Sequence, residues 1–103
     1  MKSTEQFLEV IPIYLSIKSK YHLSISEAAL YGLLSVNSYR SGNTHLSNKV
    51  LAEILGKGLR FVGRALTKLE RAGVIKRSFK PNPSGGRIRT IELLREGENV
   101  KVY

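Results

Sequence analysis

The sequence predicts an α+β domain that is mainly helical, with three helices forming a core and a β-hairpin after them. Three observations carry this reading. Between Ser24 and Gly73, apolar residues recur at helical spacing in three segments, each with its own start and stop signals. After Gly73 the period changes to two. The charge is also segregated: the stretch from Lys57 to Arg89 holds ten basic residues against one acid, Glu70, and so carries the whole chain's net charge of +9. Such a local patch implies a polyanionic partner that docks on one face.

A chain of 103 residues is read as one domain spanning 1–103. Residues 1–22 form an N-terminal arm. Within it, Phe7 to Ile11 reads as a short or edge strand or a docking arm, because Pro12 lacks the ladder donor and limits any strand before it. Three helices fill residues 24–73. The first opens on a capping box at Ser24-Ile25-Ser26-Glu27 and carries a stripe of Ala28, Ala29, Leu30, Leu33, Leu34 and Val36. It is expected to run to about Tyr39, with Gly42 suited to a left-handed exit. The second, Leu46 to Gly56, has Ser47 as N-cap and Val50, Leu51, Ile54 and Leu55 on one side. The third, Leu59 to Ala72, buries Val62, Ala65, Leu66 and Leu69, and Gly73 stops it. Residues 74–93 then read as a hairpin of Val74–Lys80 and Arg87–Leu93 around the turn Pro81–Gly86, followed by a tail over 94–103.

Several function classes are excluded by what the chain lacks. It has no cysteine and no aspartate, no paired carboxylates, no HxE pattern and no Ser/His/Asp set, so an enzyme is not expected. His22 and His45 have no second ligand at metal spacing, and Gly85-Gly86 precedes neither a Lys-Ser/Thr pair nor a helix start. No cofactor, metal or small-molecule substrate is implied. The apolar runs are too short to span a bilayer, and the N-terminus MKSTEQFLEV does not resemble a secretory signal, so the expected compartment is the cytoplasm. Tyr14, Tyr21, Tyr31 and Tyr39 lie outside the basic stretch and are read as core or dimer residues.

Two short helices joined by about three residues that include glycine, the second basic on its outer face, form the helix-turn-helix pattern, here at 47–72. A basic hairpin directly after it makes the winged variety. The string LAEILGKGLRFVGRALTKLERAGVIKR resembles the winged helix-turn-helix of bacterial regulators. The preceding SISEAALYGLLS resembles the variant found in plasmid and phage replication and maintenance proteins. The resemblance spans Leu23 to Leu93 and implies a winged helix-turn-helix fold that binds duplex DNA. The chain departs from the family's pattern at the start of the third helix. Gly58 stands where Ser or Thr usually caps, and Leu59 and Phe61 occupy positions that commonly hold polar residues.

Position on the elements suggests roles. Lys57, Arg60, Arg64, Lys68 and Arg71 follow at spacings of three, four, four and three, one continuous face opposite Val62, Leu66 and Leu69. Arg60 and Arg64, in the N-terminal half, are expected to contact guanine or clamp phosphate. Lys57 and Gly58 lie at the helix start, which suits phosphate, and Lys68 and Arg71 are expected on phosphate further along. Phe61 either meets a thymine methyl or extends the core. Gly63 would let the backbone approach DNA closely. Ser47, Asn48 and Lys49 can bond phosphate, although Ser47 also serves as a plain cap. Lys80, Arg87 and Arg89 flank a small, flexible hairpin tip and can lay an arginine into the minor groove or along the backbone. A basic hairpin also serves as an edge that resists aggregation.

The expected function is sequence-specific binding of double-stranded DNA, as a regulator or adaptor in plasmid or phage partition, replication or transcription. A homodimer on a repeated or palindromic site is expected, because one small domain offers limited contact area. A protein partner from a replication or partition machinery would fit the same reading. The alternative is a winged-helix interaction module that binds an acidic protein. RNA binding ranks below both, since no set of stacking aromatics accompanies the charge.

Overall fold

The computed structural model describes residues 10–39 and 43–94. Four helices and three strands follow in chain order: α1 (Leu15–Lys20), α2 (Ile25–Asn37), β1 (Asn43–Thr44), α3 (Asn48–Leu55), α4 (Leu59–Arg71), β2 (Ile75–Pro81) and β3 (Arg87–Leu93). The strands form one antiparallel sheet in the order β1-β3-β2. The class is α+β, as expected.

The N-terminal segment differs from the sequence reading. Of the expected strand, Phe7 to Glu9 lie outside the described residues, and Val10 and Ile11 are in no strand. A helix, α1, follows, so the described residues hold four helices where three were expected. Its stop signal was hidden because histidine takes the role usually given to glycine. His22 adopts φ 56°, the Leu23 N–H bonds the Lys18 carbonyl at 2.9 Å, and the His22 N–H bonds the Ser19 carbonyl at 3.3 Å. These are the two hydrogen bonds of a Schellman ending. Gly56 (φ 68°) and Gly73 (φ 83°) end α3 and α4 by the same pair of bonds.

The extended stretch before α1 packs on α2 at one close approach. A Cβ on Gly32 would lie 1.9 Å from the Pro12 carbonyl oxygen. Only glycine leaves room for that backbone. Beside it, the Tyr14 ring meets Tyr31 edge-on at 5.7 Å, and its hydroxyl lies 2.9 Å from the Ser35 hydroxyl. Tyr31 is buried, whereas Tyr39 is almost fully exposed.

The capping signals act as the sequence predicts. The Ser24 N–H donates to Glu27 Oε1 at 2.8 Å, and the Glu27 N–H donates to Ser24 Oγ at 3.1 Å. α2 ends at Asn37, two residues before the expected limit, with the Ser38 N–H on the Leu34 carbonyl; the expected exit at Gly42 lies outside the described residues. Ser47 caps α3 by accepting from the Val50 N–H at 3.2 Å. β1, which two residues of sequence could not announce, pairs Asn43 with Glu92 and Thr44 with Ile91. Thr44 is buried, and its hydroxyl bonds the Asn37 side chain and accepts from the Leu46 N–H.

Leu30, Leu33 and Leu34 of α2, Leu51 and Ala52 of α3, the four buried apolar residues of α4, and Val74, Ile75 and Ile91 of the sheet region form one core. Each large side chain there contributes about 1.5–3 kcal/mol by leaving water. The consequence for function is geometric. With Val62, Ala65, Leu66 and Leu69 fixed inward, the opposite side of α4 has to face outward. β2 starts at Ile75 and runs one residue further than expected, to Pro81; β3 has its expected bounds. Of the tail expected from residue 94, only Leu94 is described, and its N–H bonds the Val74 carbonyl at 2.9 Å.

Candidate nucleic-acid interface

The outward side of α4 carries a shallow groove lined by Arg60, Gly63, Arg64, Thr67, Lys68 and Arg71. Arg60, Arg64 and Arg71 are exposed, and among the described residues none of the three has a hydrogen-bond or ion-pair partner. Gly63 leaves the helix backbone open between them: a Cβ built there meets nothing within 4 Å. Unpaired guanidinium groups over bare backbone form an anion-accepting surface, since Arg presents a planar fork that matches phosphate or a guanine edge. α4 begins at Gly58, which offers no side-chain cap. Lys57 stands just before it, its ammonium 5.5 Å from the centre of the Phe61 ring. Positive charge at this end adds to that of the helix dipole.

Three residues expected to touch DNA have protein partners. Lys68 lines the groove but is engaged: its ammonium lies 2.8 Å from Glu27 Oε1 and 3.1 Å from the His22 carbonyl. It ties α4 to the junction of α1 and α2. Arg89 donates from Nη1 to Asn48 Oδ1 at 2.5 Å and from Nη2 to the Leu46 carbonyl at 2.6 Å, which occupies the Asn48 side chain as well. Each lies where its element meets another: Lys68 and Arg89 find acceptors on a neighbouring element, and the Asn48 side-chain oxygen finds a donor. Phe61 is half-buried against the core, in line with the structural alternative for it, while Leu59 is 59% exposed beside the groove.

Two acids within reach of the basic surface are neutralised locally. Burial pushes the Glu27 carboxyl up, but the hydrogen bond from Lys68, the Ser24 N–H and the Lys68 charge together outweigh it. Its pKa ends below the ordinary carboxylate range. For Glu70 the hydrogen bond from Arg77 is the largest influence and holds the carboxyl low, against a smaller opposing effect of burial. Arg77 Nε lies 2.8 Å from Glu70 Oε1, Nη2 lies 2.7 Å from that oxygen, and Nη2 also reaches Thr67 Oγ1 at 3.4 Å. The Arg89 guanidinium is lowered from the usual arginine value, by burial first and the Arg77 charge second.

The hairpin presents two faces. Ile75, Arg77 and Phe79 of β2 share one with Arg87, Arg89 and Ile91 of β3, and Lys76 and Lys80 lie on the other with Ile88 and Thr90. Lys76 and Lys80 are exposed and have no partner among the described residues. Arg87 lies over the Phe79 ring, 5.0 Å from its centre. The tip expected to be flexible has internal bonds. The Asn82 N–H donates to the Gly86 carbonyl, the Gly85 N–H to the Asn82 carbonyl, and the Ser84 N–H to Asn82 Oδ1. Sequence reasoning missed Thr67, Lys76 and Arg77 as residues of this surface. The i+3 step from Arg64 to Thr67 is the one signal that could have found Thr67.

Among the described residues no group of three His, Cys, Asp or Glu is placed to hold a metal ion, and no helix is long and apolar enough to cross a membrane. No protein-family model matches the chain, and no curated protein matches it in sequence. Its fold is similar to that of several solved structures, three of which share 16% sequence identity with it. One is described as a possible transcriptional regulator from Methanosarcina mazei Go1, with a TM-score of 0.60 over 81% of this chain and 66% of that one. A second is the N-terminal domain of a DNA binding protein, with a TM-score of 0.58 over 92% and 82%. A third belongs to the structure of a Rep-DNA complex, with a TM-score of 0.61 over 100% and 98%. At this identity the likeness shows a shared fold.

Proposed function

We propose that the chain is a sequence-specific binder of double-stranded DNA with a winged helix-turn-helix fold, in which α3 and α4 are the two helices of the motif and the β2-β3 hairpin is the wing. The observation that carries this reading is the row Arg60, Arg64 and Arg71, without partners among the described residues, beside the bare backbone of Gly63. The acids near that row, Glu27 and Glu70, are already paired with Lys68 and Arg77, so little negative charge opposes a polyanion. The likeness to a chain from a Rep-DNA complex and to a domain of a DNA binding protein supports the same reading. Arg60 and Arg64 take the base edges, and Lys57, Arg71, Lys76, Lys80 and Arg87 the flanking phosphates. Two copies on a repeated site extend the contact area, and the role is that of a regulator or adaptor in replication, partition or transcription rather than of an enzyme.

The test is selection of bound duplexes from a random 24-bp library, followed by salt titration of the recovered site against a scrambled duplex. The reading expects a recovered consensus, and log affinity falling with log salt at about −0.9 per phosphate neutralised. Equal affinity for every duplex would remove the sequence-specific part. Failure to bind any duplex, with retention on polyglutamate, would favour recognition of an acidic protein.

A further inference from the structure

Past Arg77 and beside Arg89, among the described residues, the hairpin face that meets α4 and α3 carries an exposed aromatic, Phe79. Arg77 reaches Thr67 and Glu70 of α4, and Arg89 reaches Asn48 of α3, which fixes the side of the molecule toward which this face looks. Phe79 is two residues further along β2 on the same face, about 7 Å past Arg77 at the usual strand rise. Phe79 is 53% exposed, and Arg87 is stacked on it, 5.0 Å from the ring centre. From Ser78 to Thr90 there is no acid, while Lys80, Arg87 and Arg89 supply positive charge. A single exposed aromatic needs no explanation by itself. An exposed aromatic on a β-ribbon, with Arg87 over its ring and Arg89 paired across from it, fits a partner that is anionic outside and apolar between its layers. Stacked base pairs behind phosphates have that chemistry.

We propose that Phe79 is an apolar wedge, which enters the minor groove of the duplex held by α4, opens one base step and bends the DNA. Arg87 and Lys80 hold the phosphates on either side of the opened step. The inference rests on the DNA-binding reading above. Phe and similar apolar side chains inserted between base steps partly unstack them and kink the duplex toward the major groove, and the bend brings more phosphate to the protein. Ile88, on the opposite hairpin face, is 39% exposed and stays outside the opened step.

The probe is the duplex recovered by selection, or a 24-bp alternating A·T duplex if selection recovers none. Donor and acceptor dyes at its ends report bending, and 2-aminopurine scanned through one strand reports unstacking. Wild type is expected to shorten the end-to-end distance and to raise 2-aminopurine fluorescence at one step. Phe79→Ala should bind about tenfold more weakly with a shallower salt slope, leave the duplex straight and abolish the 2-aminopurine signal. Phe79→Leu, still apolar, should keep most of the bend. A duplex bent as fully by Phe79→Ala as by wild type would overturn the wedge, as would a wild-type complex with neither bend nor unstacking. Absence of any duplex binding by wild type overturns the wedge together with the reading beneath it, and is recognised before Phe79 is changed.

Discussion

Arg64 and Arg89 carry the same side chain and stand in opposite situations. Arg64 is exposed and, among the described residues, unpartnered, whereas Arg89 spans Asn48 and the Leu46 carbonyl. Two distinguishable outcomes follow. Arg64→Ala should weaken DNA binding by about 1–3 kcal/mol and relax preference at one base position, which a mutated-site panel would report. Arg89→Ala should lower thermal stability, because it leaves the Leu46 carbonyl and the Asn48 amide short of a donor, while the slope of log affinity against log salt stays as in wild type. A slope reduced by about 0.9 would mean that Arg89 neutralises a phosphate after all. Gly32 is a third decisive position. Gly32→Ala would place a methyl 1.9 Å from the Pro12 carbonyl oxygen, so the segment before α1 must move. A melting temperature equal to wild type would show that the segment contributes nothing to stability.

At the scale of elements, two ion pairs among the described residues join different elements. Lys68 with Glu27 ties α4 to the start of α2, and Arg77 with Glu70 ties β2 to α4. Both carboxyls have folded pKa values held below the ordinary carboxylate range. A depressed folded pKa adds stability that is present above the unfolded value, about 4.3 for Glu, and is lost as pH falls through the folded value. Stability should therefore be level from pH 7 to 5 and decline below about pH 4.5. The partial exposure of both pairs keeps the effect small. Glu27→Gln should flatten part of that decline in chemical denaturation measured across the range, and an unchanged profile would count against the pair. The helices α2, α3 and α4 and the hairpin were legible from caps, glycines and periodicity, because those signals act within a few residues. α1 was not, because six residues carry too little periodicity and its left-handed stop is His22 rather than glycine. β1 was not, because its pairing depends on β3, more than forty residues away. The same limit explains the site. Sequence located the basic face of α4, but Glu27 is 41 positions from Lys68 and Asn48 is 41 from Arg89, so only the fold reveals which cations are already engaged.

For the whole molecule, the local +9 becomes a division of labour among the cations. Lys68, Arg77 and Arg89 hold elements together, while Arg60, Arg64, Arg71, Lys76 and Lys80 stay open to a partner. This open set, led by the row on α4, is proposed to bind duplex DNA. The most direct test is a salt titration of duplex binding by fluorescence anisotropy, with wild type beside the triple variant Arg60→Ala, Arg64→Ala, Arg71→Ala. All three sites are exposed, so the variant should fold and melt like wild type. The account expects the slope of log affinity against log salt to become shallower by up to about 2.7, near 0.9 for each phosphate contact removed, with a large loss of affinity at low salt. A triple variant that matches wild type in both slope and affinity would contradict it.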